Sequence, residues 1–405
     1  MAAPDIACPF CGLVCDDLAL VDGRVEAQTC AKGAAGFARG PSIVEHRIAG
    51  RPASLDAAAS EAATLLRGAR LPLISGLAAD VAGLRALIAL ADRLGGVIDR
   101  WGSAAQFANL SLLQREGGMT ATFGEIANRA DVIVLIGSDP AVAQPRFFER
   151  LARPSQALYR AGAPHIAFIG GEGVAPSDSA VSERILAEGD RLLDVVSTLA
   201  AFADGWKVRP EIATASLRGL AERLAAAHYG AIVWDIAAFA PPLRDAATAI
   251  VLHLLRRLTR KTRCVGLPLG GENDAQGASQ AMLWQAGWPG RISFAAGTPQ
   301  HDPWLYDAER LLAAGEVDAL LWASALSAAP PPTTTVPTVA LLAADAPPTT
   351  SAVEIRVGIP GIDHAGTVMR ADTVVALPLR AARPSALPSI AAAAAAILAH
   401  LAVAA

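Results

Sequence analysis

The sequence predicts an open α/β protein, and three observations carry the prediction. Short, almost wholly apolar runs recur along the chain, helical spacing separates them, and they end in turns rich in Gly, Ser, Asp or Pro. A strand buried on both faces reads as a continuous apolar run, so this alternation indicates a mostly parallel sheet covered by helices on both sides. Residues 56–66 have helical spacing, with Ser54 or Asp56 available as the N-terminal cap. LPLISGL (71–77) follows as a strand ending at Gly76, then a helix over 79–94 and the strand GGVID (95–99). ADVIVLIGSDP (130–140) is a continuous apolar strand running into a Gly-Ser-Asp-Pro turn, and PHIAFIGG (164–171) is a further strand. The pattern restarts at YGAIVWDI (229–236), with a helix over 244–258 and strands in TRCVGLPLG (262–270), EVDALLWASAL (316–326) and TVPTVALLA (335–343).

Two open, mostly parallel α/β domains are therefore expected after a small cysteine-rich subdomain at 1–48. The first spans 49–205 and is completed by 359–405; the second spans 206–358. The Pro-rich stretch APPPTTTVPT (329–338) is expected to be an ordered loop of the second. No short-period repeat is present.

Composition narrows the class. The 405 residues are long enough for two or three domains, and a net charge of −4 gives no electrostatic footprint for nucleic acid. A mean hydropathy of +0.38 raises the question of a membrane. The longest uncharged run, Leu320 to Ala344, is broken by Pro330, Pro331, Pro332 and Pro337 and cannot be a spanning helix. The Ala-rich tail (389–405) suits a tightly packed closing helix. A cytoplasmic protein without membrane or nucleic-acid partners is expected, its apolar excess marking interfaces with other chains.

Four of the five cysteines, Cys8, Cys11, Cys15 and Cys30, fall in the first thirty residues as C-x₂-C-x₃-C-x₁₄-C. Thiols so clustered suit an iron–sulfur cluster; zinc, which favours paired C-x₂-C knuckles, and plain structural thiols are the alternatives. No secretory signal precedes them, which argues against disulfides.

Open α/β sheets bind ligands beyond the carboxyl ends of their strands. The turns after Ile136, Leu269 and Leu326 are the places to look, and Gly137, Gly270, Gly271 and Gly277 would admit a ligand close to the backbone. Each such Gly taken alone is more often only a turn.

Several stretches together resemble the molybdopterin-dependent oxidoreductases, and most closely the B subunit of formylmethanofuran dehydrogenase. They are the cysteine motif, LGGVIDRWGSAAQFANLSLLQ (94–114), ATFGEIANRADVIVLIGSDPAVAQPRFFER (121–150), LGGENDAQGASQAMLWQAGWP (269–289) and IPGIDHAGTVMRAD (359–372). The resemblance implies two α/β domains of the molybdopterin oxidoreductase type and a [4Fe–4S] cluster on Cys8, Cys11, Cys15 and Cys30. It also implies a groove for pyranopterin guanine dinucleotide with molybdenum or tungsten, contacted by Gly137, Ser138, Asp139, Asn273, Gly277 and Gln280. The bland reading makes Asp139 a turn cap and leaves Asn273, Asp274, Gln280 and Trp284 to hold the core or an interface. His165, His253 and His364 are expected to be packing or surface residues, and Asp16-Asp17 an exposed turn.

One departure is decisive. Where the family carries a metal-ligating Cys followed by His, this chain has Ala105 and Gln106. Ala has no donor atom, and Gln exchanges no proton near neutral pH. The loss resembles the B subunit of the bacterial formyltransferase/hydrolase complex of methylotrophs, which implies a non-redox scaffold with the other chains of that complex as partners. The alternative is a redox-active formylmethanofuran dehydrogenase B subunit, interconverting CO₂ and formate without a protein thiolate on the metal.

Overall fold

The computed structural model describes residues 6–21, 24–25, 30–40, 44–152, 157–187, 189–208 and 215–403. The chain divides into two compact units, one joining Met1–Ser103 to Gly271–Ala405 and the other formed by the continuous stretch Ala104–Gly270.

Among the described residues of the first unit, nine strands make one mixed sheet. Its centre is five parallel strands, in spatial order Val97–Ile98, Pro72–Ala78, Ala319–Ser324, Thr338–Ala343 and Val353–Val357. Antiparallel pairs flank them: Ile292–Ser293 with Gln300–His301 on one side, His46–Ile48 with Arg51–Ala53 on the other. The register between Pro72–Ala78 and Ala319–Ser324 shifts after Trp322. Gly76 sits there at φ +81°, where a Cβ would lie 2.7 Å from the Ala323 carbonyl oxygen. Only Gly fits that close approach.

Helix Leu55–Gly68 is capped by Ser54, whose Oγ accepts from the Ala57 amide at 3.1 Å, leaving Asp56 in the first turn where the helix dipole favours it. Helix Val81–Leu94 is capped by Asp80 and ends at Gly95 in the left-handed region. The closing helix Ile390–Val403 packs on both through Ala393, Ile397 and Leu401, against Ala58, Ala62, Leu66 and Leu87. Small residues let these backbones approach closely, as the Ala-rich tail suggests. Leu66 is fully buried, and truncating such a side chain to Ala costs about 2–5 kcal/mol.

The second unit carries, among its described residues, five parallel strands in the order Cys264–Pro268, Gly230–Trp234, Val132–Gly137, His165–Gly170 and Val181–Leu186. Helices Ala104–Glu116, Arg191–Asp204, Ala215–Ala226 and Arg244–Thr259 bury Leu112, Leu199, Leu220 and Leu255 against it. A buried polar contact fixes the register of this packing: the Asn109 Oδ1 accepts from Trp234 Nε1 at 2.9 Å and from Thr248 Oγ1 at 3.3 Å.

The α/β class and its parallel sheets agree with the sequence, but the division of the chain does not follow the expected boundaries at 205/206 and 358/359. Pro72–Ala78 pairs with Ala319–Ser324, and Val132–Gly137 with Gly230–Trp234. The middle of the chain is thus a unit of its own, and the choice of partner strand is set by tertiary packing that local patterns do not encode. Nor is 1–48 a separate subdomain in its described part. Ala7 and Val14 pack with Ala78, Leu326, Val368 and Leu379 of the first unit. No described helix is long and apolar enough to cross a membrane.

Candidate functional site

In the first unit, the carboxyl ends of the parallel strands surround a cavity of about 240 Å³. Gly76 and Ala78 come from one strand end, Arg100 and Trp101 from the segment after Val97–Ile98, and Trp322, Ser324 and Ser327 from the next strand and its turn. Glu272 and Asn273 close it from the turn before helix Ala275–Ala286. Trp101 and Trp322 meet edge to face at 5.7 Å. Trp322 Nε1 donates to the Ala329 carbonyl at 3.2 Å, so the Pro-rich loop forms a fixed wall through Pro330 and Pro332. The Arg100 guanidinium donates to the carbonyls of Trp101 and Gly102 at 3.0 and 3.1 Å, while its Nε has no partner.

Next to Arg100 in the chain lies Asp99, fully buried. Its Oδ2 accepts from Ser103 Oγ at 3.0 Å and from the Ala308 amide at 3.1 Å; its Oδ1 has no partner. The Arg291 guanidinium approaches to 3.8 Å but donates to Ser103 Oγ, the Pro303 carbonyl and the Asp307 carboxylate. Burial therefore outweighs the nearby cation and raises the Asp99 carboxyl from 3.8 to about 7. Sequence reading missed this group. The only available signal was an acid directly following an apolar strand, with Arg next to it.

The predicted groove residues separate into two sets. Asn273, Gly277 and Gln280 belong to the first unit, whereas Gly137, Ser138 and Asp139 belong to the second. Of the first set only Asn273 lines the cavity, in the left-handed region at φ +54°. Gly277 makes room for the Asp274 side chain, since a Cβ there would collide with its carboxylate. Asp274 is buried and accepts from the Met369 amide at 2.8 Å; burial, aided by the charge of Asp80, pushes its carboxyl well above the ordinary range. Gln280 is half-buried, and Trp284 is exposed, so it does not hold the core. In the second set, Gly137 at φ +105° has the Asp235 carbonyl 2.8 Å from where a Cβ would be. The Asp139 Oδ1 accepts from the Ala141 amide at 2.9 Å and caps the short helix Pro140–Ala143.

Ala105 and Gln106 lie in the first turn of helix Ala104–Glu116, both half-buried. The Ala105 methyl packs against the core of the second unit and offers no donor atom.

The cysteine segment folds back on itself. The Cys8 amide donates to the Cys15 carbonyl at 2.8 Å, and the Val14 amide to the Cys11 carbonyl at 3.2 Å. Cys8, Cys11 and Cys15 are buried on this loop, and none of the five cysteines forms a disulfide. Cys30 caps helix Ala31–Phe37, its Sγ accepting from the Gly33 amide at 3.4 Å. Burial raises the Cys8 thiol to about 12 and Cys11 to about 11; neighbouring cysteines add to both, and Lys32 pulls Cys11 down. The donor set has the chemistry of an iron–sulfur site. Among the described residues, however, no three His, Cys, Asp or Glu side chains are arranged as ligands around a metal ion. The Asp16-Asp17 pair is exposed, as its position after the third Cys suggested. His253 pairs with Asp204 at 2.8 Å, His165 lies 3.7 Å from Glu183, and His364 Nδ1 bonds the Ala365 carbonyl.

No protein-family model matches the chain. It is 33% identical over 326 residues to the B subunit of the formyltransferase/hydrolase complex Fhc of Methylorubrum extorquens, covering 79% of this chain and 87% of that protein. It is 26% identical over 397 residues to the B subunit of the tungsten-containing formylmethanofuran dehydrogenase 2 of Methanocaldococcus jannaschii, covering 91% of each. A chain in the X-ray crystal structure of the formyltransferase/hydrolase complex FhcABCD from Methylorubrum extorquens, in complex with methylofuran, matches with a TM-score of 0.77. That match has 30% sequence identity and covers 88% of this chain and 99% of the other. In sequence and in fold, this chain belongs to the B-subunit family shared by formyltransferase/hydrolase complexes and formylmethanofuran dehydrogenases.

Proposed function

We propose that this chain is the non-redox scaffold of a cytoplasmic formyltransferase/hydrolase complex in the one-carbon metabolism of a methylotroph, with the other chains of that complex as partners. The observation that carries the reading is Ala105, a packed methyl group at the position where the resemblance expects the metal-ligating thiol, in a chain 33% identical to an Fhc B subunit. Gln106 beside it removes the acid–base group as well. Exposed tryptophans support a role within an assembly. Trp206, Trp284 and Trp304 are 70%, 58% and 66% exposed, and each offers a large apolar side chain for contact with another chain.

Domains of the molybdopterin oxidoreductase type are part of this proposal, as descent rather than activity. The chain's own groove candidates are largely engaged in structure. Asp139 caps a helix, Gly277 accommodates Asp274, and Asn273 alone faces the cavity. These residues fit a pterin dinucleotide poorly. A [4Fe–4S] cluster is proposed for Cys8, Cys11, Cys15 and Cys30, where it would supply electron transfer or a structural staple. The buried loop would exclude water from it, and the Gly33 amide would donate to the Cys30 sulfur.

The second reading, a redox-active formylmethanofuran dehydrogenase B subunit, is favoured by retention of all four cysteines. Metal analysis of the purified complex separates the two. The scaffold reading expects no molybdenum, tungsten or released pterin; a stoichiometric amount of either metal with pterin refutes it. Iron near zero in anaerobically prepared protein removes the cluster proposal alone.

A further inference from the structure

The cysteine segment is built into the walls of the strand-end cavity. Gly12, between Cys11 and Cys15, accepts the Ala371 amide at 2.8 Å. Its Cα lies 3.4 Å from where a Gly271 side chain would start, and the residue after Gly271 is the cavity-lining Glu272. Ala7 and Val14 pack with Leu326 and with Ala78, which lines the cavity. Phe10, between Cys8 and Cys11, meets Phe37 edge to face at 5.2 Å and occupies the space left by Gly36, where a Cβ would collide with the ring. Cys30 caps this helix, Ala31–Phe37, at its start, and Arg39 follows Ala38, the cap at its end. Arg39 Nη1 donates to the Leu326 carbonyl at 2.8 Å, while Nε and Nη2 grip Asp345 at 2.6 and 2.8 Å. The amides of Ala325 and Leu326 both donate to the Ala78 carbonyl, at 2.8 and 3.0 Å, and the next residue, Ser327, lines the cavity.

Lys32–Glu272 and Arg39–Asp345 both tie the segment to these walls, with unequal weight. The first pair is 34% and 50% exposed, and such surface pairs contribute about 0–1 kcal/mol. The second is bidentate and only 15% and 18% exposed, so its geometry is fixed and salt screens it less. Arg383 holds Arg39 from behind by donating to its carbonyl at 2.7 Å. A continuous packed route thus runs from the Cys8–Cys11 turn through Phe10 and helix Ala31–Phe37 to Arg39 and the Leu326 turn. Holding four thiols on one cluster removes freedom from the loop and from Cys30 together, and the ordering extends to whatever packs on both. We propose that occupancy of the four-cysteine site sets the shape of the cavity, with Arg39 as the positioning residue; the inference rests on the cluster reading above. It gives the four thiols a use in a chain with no donor atom at Ala105.

Hydrogen exchange followed by mass spectrometry tests this on the full chain, loaded anaerobically with iron and sulfide and again after chelation. Loading should slow exchange at Ala325 and Leu326 at least about threefold, while strand Val132–Gly137 exchanges equally in both states. Arg39→Gln should retain iron and abolish the difference. A merely structural Arg39 behaves otherwise, since its loss would speed exchange equally in both states and leave the difference intact. Asp345→Asn loosens the pair from the other side and should shrink the difference too, which keeps the test decisive if Arg39→Gln does not fold. Iron-loaded wild type with unchanged exchange at Ala325 and Leu326 overturns the proposal and leaves the cluster reading standing. Failure to take up iron overturns both. A folded, iron-bearing Arg39→Gln or Asp345→Asn variant with the full wild-type difference overturns the proposal as well.

Discussion

Asn in place of Asp99 isolates a strongly perturbed, buried carboxyl next to the cavity-lining Arg100. The ordinary value of 3.8 rises to about 7 because the group is fully buried and its Oδ1 is unpaired. The folded state therefore holds a proton that the unfolded chain has released between these two values. Stability contributed by Asp99 is greatest below pH 4, falls as pH rises through this window and levels off above pH 7. A shift of about three units corresponds to about 4 kcal/mol over the window. Asn keeps the acceptor for Ser103 Oγ and the Ala308 amide but carries no titrating group. Urea unfolding followed by tryptophan fluorescence, at several values between pH 4.5 and 8, measures both proteins, with Trp101 and Trp322 as nearby reporters. The difference in unfolding free energy, wild type minus D99N, should fall by a few kcal/mol across this range. A difference that stays constant within about 1 kcal/mol would refute the reasoning, because then the Arg291 charge compensates the burial in full.

Further expectations concern single contacts. Gly277→Ala drives a methyl into the Asp274 carboxylate and should destabilise the chain by about 1–3 kcal/mol, read as a lower urea midpoint. Asn109→Ala leaves Trp234 Nε1 without its acceptor and should cost about 1–3 kcal/mol; an unchanged midpoint would show that the buried bond is replaced. Cys264, buried and raised to about 12, should be alkylated at pH 8 about a thousandfold more slowly than an ordinary thiol, with half-buried Cys30 reacting first by mass spectrometry. Ala105→Cys should not confer formate oxidation on the complex; measurable activity with bound tungsten or molybdenum would restore the redox reading.

Much of the sheet was legible because strands buried on both faces leave no polar residue in their pattern. VIVLIG and GAIVW are such runs, and both are fully buried. Strands that carry charge were not legible. Val353–Val357 reads VEIRV, yet Glu354 and Arg356 pair at 2.9 Å inside the protein and hide each other's charge. Val181–Leu186 is an edge strand whose exposed Ser182 and Arg184 break the apolar run. The candidate site was legible as a place, the turns after Leu269 and Leu326 that supply Glu272, Asn273 and Ser327, more than as a set of residues. Trp322 read only as part of a strand and nothing in the pattern singled out Arg100, and only the fold brings them to one cavity. Conversely, Gly277 drew attention as a ligand-approach glycine, whereas its missing side chain serves the neighbouring Asp274.

The discontinuity of the first unit dictates an order of events during synthesis. Residues 104–270 are contiguous and hold all five strands of their sheet, so they can close that core as soon as they have left the ribosome. Pro72–Ala78 emerges earlier but must wait for Ala319–Ser324, its partner on the far side of the whole intervening unit in sequence. Until then its apolar face and sheet edge are unpaired and open to wrong partners. The chain thus spends much of its translation with a finished middle and an unfinished frame. A nascent-chain arrest series should show protease resistance appearing in 104–270 before any appears in residues 44–103.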